Sequence, residues 1–202
     1  EVSYDGRKIL FAMRCSAQSA PQCYNYQGLG NDFSWNIWEL DIQARTMRKA
    51  IADPAIAARG DDVDPAYLPD GRIVFSSSRQ STRIQDPAGG TPGAVGYRYT
   101  DEYEREPVTV LHVMNNDGSN VTQISFNQSH DRNPVVLSTG EIMYSRWDHV
   151  GGRNQFSIFK INPDGSDFFV LYGAHSPGNS YLHPREMPDG RVISTLMPLS
   201  GT

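Results

Sequence analysis

Apolar and polar positions in this chain fall into short runs broken by Asp-Gly turns, and four of the runs align on one glycine. They are Ser3-Tyr4-Asp5-Gly6-Arg7-Lys8-Ile9-Leu10-Phe11, Leu68-Pro69-Asp70-Gly71-Arg72-Ile73-Val74-Phe75, Leu137-Ser138-Thr139-Gly140-Glu141-Ile142-Met143-Tyr144 and Met187-Pro188-Asp189-Gly190-Arg191-Val192-Ile193-Ser194. Pro65, Pro134 and Pro184 precede the last three glycines at one fixed offset. In Pro-Asp-Gly the proline presets φ, the aspartate supports the bend and the glycine accepts positive φ. The β-branched and aromatic residues after each glycine predict a strand.

A second motif follows later in each unit. Val110-Leu111-His112-Val113-Met114 leads to Asn116-Asp117-Gly118-Ser119, and Ser157-Ile158-Phe159-Lys160-Ile161 leads to Pro163-Asp164-Gly165-Ser166. Trp35 to Asp41 is a degenerate first copy without the glycine. Each unit thus reads as a short strand, an Asp-Gly turn, a long strand, a variable loop, a third strand, a second turn and a fourth strand. Four antiparallel strands per unit make a propeller blade. A plain β-sandwich is the alternative, but sandwiches rarely repeat their turn chemistry in register. The expected fold is all-β: a partial β-propeller of about three blades plus the start of a fourth. The units run over about 1–55, 56–126 (with an insert at 80–107), 127–180 and 181–202.

The aligned glycines stand 65, 69 and 50 residues apart, more than the ~40–50 of ordinary blades. The excess lies between the second and third strands, at 15–34, 80–107 and, more modestly, Trp147 to Gln155. Hairpin geometry puts those loops at the end where the chain enters each first strand, and the Asp-Gly turns at the other. Long loops on one side of a rigid scaffold are where binding residues concentrate. Three blades cannot close a ring, so the open edges are expected to be covered by more polypeptide or by partner chains.

Composition narrows the setting. The 18 glycines and 13 prolines suit hairpins, and a net charge of -5 leaves no footprint for nucleic acid or an anionic membrane. No apolar run reaches the length of a membrane span, and no signal peptide opens the chain. The first residues read as a strand pattern already under way, as in a mature or truncated piece. Cys15 and Cys23 lie close together in a polar loop without C-x-x-C spacing. A local disulfide is expected, implying a periplasmic or secreted location, with two free thiols as the alternative.

The Pro-Asp-Gly-Arg-Ile-Val-Phe-Ser-Ser-Ser-Arg stretch at 69–79 resembles the WD40-like repeat of TolB-type propellers. Tyr144-Ser145-Arg146-Trp147-Asp148, with Asn162-Pro163-Asp164-Gly165-Ser166 and Leu171-Tyr172-Gly173, resembles the propeller region of proteins related to the alpha subunit of hydrazine synthase, over about residues 60–200. That resemblance implies haem c attached through C-x-x-C-H motifs outside the propeller. This sequence contains none, so no residue here inherits haem chemistry, and any haem would belong elsewhere in a larger protein.

Two sets of polar residues converge on the insert-bearing end. His130-Asp131-Arg132-Asn133 and His183 lead into Pro134 and Pro184; Arg14, Arg79, Arg146, Asp148 and His149 end the second strands. Histidines with carboxylates suit a divalent metal, for which His130 and His183 are the candidates, and the arginines suit a bidentate anion. The structural alternative is blade-to-blade ion pairs and hydrogen bonds. Asp64, Asn133 and His183 share one repeat position, just before the proline, and that variety fits a slot for any hydrogen-bonding side chain. The acidic run Asp101-Glu102-Tyr103-Glu104-Arg105-Glu106 reads as a solvated loop, with a calcium or basic-partner site as the sharper alternative. Tyr24, Tyr26, Phe33, Trp35 and Trp38 read as loop packing, or as a carbohydrate or protein contact.

No G-x-S-x-G, H-E-x-x-H, P-loop or G-x-G-x-x-G occurs. The expectation is a binding or scaffold module that docks a partner protein, or another domain of its own chain, through the loop-bearing face. The alternatives are the propeller of a multihaem c-type redox enzyme and a metal-dependent carbohydrate-active propeller.

Overall fold

The computed structural model describes residues 1–14, 34–57, 59–79, 107–150, 153–176 and 178–198. They form four antiparallel sheets in chain order. The first holds β1 (Lys8–Arg14), β2 (Trp35–Asp41) and β3 (Thr46–Lys49). Its innermost edge is Glu1–Ser3, held by the Val2–Ile9 bridge and by the Leu10 amide on the Glu1 carbonyl at 2.8 Å. After the short helix α1 (Pro54–Ala57), the second sheet runs β4 (Asp62–Tyr67), β5 (Ile73–Ser77), β6 (Val110–Met114) and β7 (Thr122–Gln123). The third comprises β8 (Asp131–Val136), β9 (Ile142–Val150), β10 (Arg153–Ile161) and β11 (Phe169–Tyr172). The fourth has two strands, β12 (Asn179–Glu186) and β13 (Val192–Pro198).

The turn that joins the first two strands is built alike in the second, third and fourth sheets, and is one residue longer in the first, where the Ser3 amide bonds to the Lys8 carbonyl. The amides of Gly6, Gly71, Gly140 and Gly190 bond to the carbonyls of Ser3, Leu68, Leu137 and Met187 at 2.8–2.9 Å. Each glycine has φ between 71° and 88°, and Gly71, Gly140 and Gly190 are each the left-handed residue of a three-residue hairpin loop. Where aspartate precedes the glycine it caps the turn, as Asp70 does by accepting from the Arg72 amide at 3.0 Å.

Sheets stack face to face, so a strand in a middle blade is covered on both sides. In β5, Val74 packs toward Ile142, Tyr144 and Phe159 of the third sheet. Ile73 and Phe75 pack toward Leu10, Ile37 and Ile51 of the first. Double coverage explains the unbroken apolar run Ile73-Val74-Phe75, where a half-buried strand would alternate. The second-turn glycine also serves the stacking. A Cβ on Gly118 would lie 2.3 Å from the Ala50 carbonyl oxygen in the neighbouring sheet, so only glycine lets the two backbones approach that closely.

The innermost strands β4, β8 and β12 each carry a bulge at the X-Pro pair, where the register with the second strand shifts: Val63/Ala66, Arg132/Val135 and Leu182/Arg185. The residues before the prolines, Asp64, Asn133 and His183, have φ of 50–55°. Asp, Asn and His are the non-glycine residues that best tolerate that region, which accounts for the three identities found in this position.

Among the described residues, no helix is long and apolar enough to cross a membrane.

Candidate functional site

Three sets of contacts at fixed repeat positions fasten neighbouring blades, the first at all three boundaries and the other two between the second and third and the third and fourth sheets. The first uses the residue four before the proline. The fourth strand is shorter than the third, so an amide at or near the start of the third strand, beyond the end of the fourth, has no ladder partner on that side. Thr109 donates instead to His130 Nδ1 at 3.2 Å, and Phe156 donates to Ser180 Oγ at 2.9 Å. Trp35 likewise donates to Asp61 Oδ1 at 2.8 Å. The second set uses the serine five after the turn glycine: Ser76 Oγ donates to the Asp131 carbonyl at 3.0 Å, and Ser145 Oγ to the Tyr181 carbonyl at 2.9 Å. The third links the bulges themselves. Asp64 Oδ2 accepts from the Asn133 amide at 3.1 Å, and Asn133 Oδ1 from the His183 amide at 3.4 Å.

The sequence-predicted site residues divide over this framework. Arg79 is buried and pairs with the fully buried Asp62, Nη2 to Oδ2 at 2.6 Å. Burial raises the Asp62 carboxyl above its ordinary range, more than Arg79 and Ser77 lower it. Asp131 is fully buried, accepts from Ser125 Oγ at 2.6 Å and Asn127 Nδ2 at 3.1 Å, and faces Arg146 at 3.6 Å. Desolvation pushes its carboxyl up to about 6, against the pull of Arg146, Ser125 and Asn127. Arg146 also reaches Asp148 at 3.7 Å and the Phe126 carbonyl at 3.3 Å, with its guanidinium 4.8 Å from the Phe168 ring centre. Arg79 and Arg146 therefore sit in ion pairs with buried aspartates, and Arg146 reaches the segment that follows β7.

His130, Trp147 and Phe156 form a stack at the insert-bearing end. The His130 and Trp147 rings lie 5.5 Å apart at 8°, Trp147 and Phe156 5.5 Å apart at 18°, and His149 tilts against Trp147 at 5.7 Å. His183 is placed differently. By repeat position His130 corresponds to Ser180, so His183 lies further along its strand, at the bulge. There it lines a groove of about 250 Å³ with Asp64, Asn133 and Arg185.

A second cavity, of about 560 Å³, opens between the strand ends that carry the inserts. Trp35, Asp61, Asp64, Thr109, His130 and Arg132 line it. Trp35 is 39% exposed, and Arg132 bonds Asp64 at 3.0 Å. An indole face beside two carboxylates, an imidazole and a guanidinium can hold an amphipathic group with polar ends. Arg132 belongs to the polar set expected at this end, whereas Asp61 and Thr109 were not singled out from sequence. The signal for Asp61 was its place four residues before Pro65, the offset that His130 and Ser180 keep from Pro134 and Pro184.

Among the described residues, no group of three or more His, Cys, Asp or Glu side chains is placed to hold a metal ion. His130 Nδ1 already accepts from Thr109, and His183 stands at a different level of its blade, so the two do not fit a shared metal shell. Haem c does not fit residues 1–202 either, for want of C-x-x-C-H. Cys15, Cys23, Tyr24, Tyr26, Phe33 and the 101–106 acidic run lie outside the described residues. Trp38, by contrast, is buried in the first sheet.

No protein-family model matches the chain, and no curated protein is significantly similar to it in sequence. Solved structures do match. Hydrazine synthase from Kuenenia stuttgartiensis superposes with a TM-score of 0.70 at 16% identity, over 98% of this chain and 28% of its own. A putative TolB from Agrobacterium tumefaciens gives 0.59 at 16% identity, over 98% of this chain and 56% of its own. TolB from Acinetobacter baumannii gives 0.52 at 15% identity, over 99% and 40%. The chain thus spans between about a quarter and somewhat over half of these structures. It is a partial, TolB-like β-propeller that resembles the propeller of hydrazine synthase.

Proposed function

We propose that this chain is the binding module of a larger periplasmic or secreted protein and takes a partner protein or domain across its insert-bearing end. The observation that carries the reading is the contrast between the two ends. One end opens a cavity of about 560 Å³ beside the His130–Trp147–Phe156 stack. The other carries short turns whose side chains bond within the turn itself, where Asp117 and Asp164 accept from Ser119 and Ser166 at 2.6 Å. Rigid scaffolds that bind through one end have this asymmetry. Tryptophan and arginine, half-exposed here at Trp35 and Arg132, are among the side chains that dominate protein interfaces.

Site-specific photo-crosslinking in the protein's own host tests the reading. A photoreactive residue at Trp35 or Arg132 should trap one discrete partner, while the same probe at Ser166 should trap none. Equal trapping at both ends would overturn it. An extracytoplasmic home rests on Cys15 and Cys23 forming a disulfide. Peptide mapping without reductant should find the two joined, and two alkylatable thiols would remove that support.

A further inference from the structure

An amide at or near the start of each third strand takes one acceptor from the next blade, and the repeat fills that slot with different groups. Thr109 bonds to the His130 imidazole and Phe156 to the Ser180 hydroxyl, whereas Trp35 bonds to the Asp61 carboxylate. An uncharged acceptor serves at two of the three boundaries, so fastening the blades does not require the charge on Asp61. Asp61 is exposed, and no cationic side chain pairs with it among the described residues. Its carboxylate is nevertheless held in place. Oδ1 takes the Trp35 amide at 2.8 Å, the Asp61 amide donates to Ser78 Oγ at 2.9 Å, and the Asp61 carbonyl accepts from the Ser78 amide at 3.1 Å. The other carboxylate of the cavity of about 560 Å³ is committed, because Arg132 bonds Asp64 at 3.0 Å. His130 uses Nδ1 as an acceptor and so is uncharged. Two carboxylates against one guanidinium leave the described lining with one negative charge in excess.

We infer that Asp61 and Trp35 form a subsite for a basic side chain, lysine or arginine, of the protein that docks at this end, an inference that rests on partner docking there. The carboxylate is anchored on the amide of the residue that carries the half-exposed indole, so ion pair and aromatic face belong to one site. A cation over the indole face gains from the ring quadrupole, and Asp61 Oδ2 is open to accept a charge-assisted hydrogen bond from it. That open oxygen selects a cation bearing N–H. A quaternary ammonium has no N–H and is held in cages of several rings, whereas here the His130 ring is already stacked on Trp147 at 5.5 Å. Ala12 and Val63 line the same cavity and can cover the aliphatic stem of a lysine or arginine.

The test titrates the folded chain with free probes at constant ionic strength and follows the Trp35 indole N–H by NMR, assigned through Trp35→Phe. Nα-acetylarginine amide and Nα-acetyllysine amide should each give a saturable shift with Kd on the order of 10 mM, the strength of one exposed ion pair and one cation–π contact. Nα-acetylcitrulline amide, uncharged and of the same shape as the arginine probe, should give none. Asp61→Ser should weaken arginine binding by about fivefold or more with an unchanged urea midpoint, since serine offers the Trp35 amide the acceptor that Ser180 gives Phe156. Asp61→Asn, isosteric with the carboxylate, should do the same and serves if the serine variant fails to fold. No shift with arginine, an equal shift with citrulline, or binding that survives both Asp61 variants would overturn the inference. So would tetramethylammonium binding more tightly than either basic probe, because the occupant would then not be a side chain. The titration contains no partner protein, so the subsite and the docking end fail separately. One partner trapped at Arg132, with no shift from arginine, would keep the docking end and remove its basic occupant.

Discussion

Strands β5 and β13 begin alike and end in opposite surroundings. Both follow Pro-Asp-Gly-Arg and open with β-branched residues, yet every residue of β5 is buried and nearly every residue of β13 is exposed. The turn, the strand and the bulge form in both. The difference lies in the neighbours: β5 has a sheet on each side, and β13 is not enclosed. Local sequence in this fold therefore specifies the blade, while burial is conferred by the blades that flank it.

That contrast can be broken by truncating matched positions. Phe75→Ala should cost about 3–5 kcal/mol and Met143→Ala about 2–5 kcal/mol in urea unfolding. Ile193→Ala, at the same repeat position as Met143, should stay within about 0.5 kcal/mol. Comparable losses at 143 and 193 would mean that the fourth sheet is enclosed after all.

The two kinds of turn glycine sharpen the comparison next. Gly118→Ala must combine a strained φ of 82° with a methyl pressed on the Ala50 carbonyl. Strain of about 1–2 kcal/mol and overpacking of about 1–3 kcal/mol add there. Gly71→Ala, with open space around its Cβ, should cost the strain alone. Equal midpoints for the two variants would contradict the close blade-to-blade approach.

A smaller effect separates a buried carboxylate from an exposed one. The Asp131 carboxyl is raised by burial to about 6, above its unfolded value of about 3.9. The folded chain therefore binds this proton first, so the stability it confers is full below about pH 4 and is lost as pH rises through 6. Wild type minus Asp131→Asn should show stability falling between pH 4 and 7. Asp70, held below its ordinary range by Arg72, acts in the opposite sense, with its contribution lost as pH falls into the acid range. A pH-independent difference for Asp131→Asn would place that carboxylate in water.

Much of this was legible in the residues. Pro-Asp-Gly spacing marks the hairpins, and the shared position of Asp64, Asn133 and His183 marks a hydrogen-bonding slot. Arg79 and Arg146 were less legible. They end second strands at the loop-bearing end and so resemble anion ligands, but the X-Pro bulge shifts the register and brings Asp62 beside Ser77 and Asp131 beside Arg146. A strand pattern of period two carries no sign of such a shift until the proline is recognised as a bulge. The Ser76 and Ser145 contacts were hidden for another reason: their acceptors are main-chain carbonyls, which any residue supplies.

The central claim is that repeat-encoded hydrogen bonds fasten successive blades, and residue-resolved amide exchange tests it most directly. The amides of Thr109, Asn133 and Phe156 bond across blade boundaries to His130, Asp64 and Ser180. They should exchange as slowly as interior strand amides such as that of Val74. Asp64→Ala and Ser180→Ala should each release its own partner, Asn133 or Phe156, and leave the other protected. Exchange of all three at the rate of exposed loop amides in the unmodified chain would contradict the account.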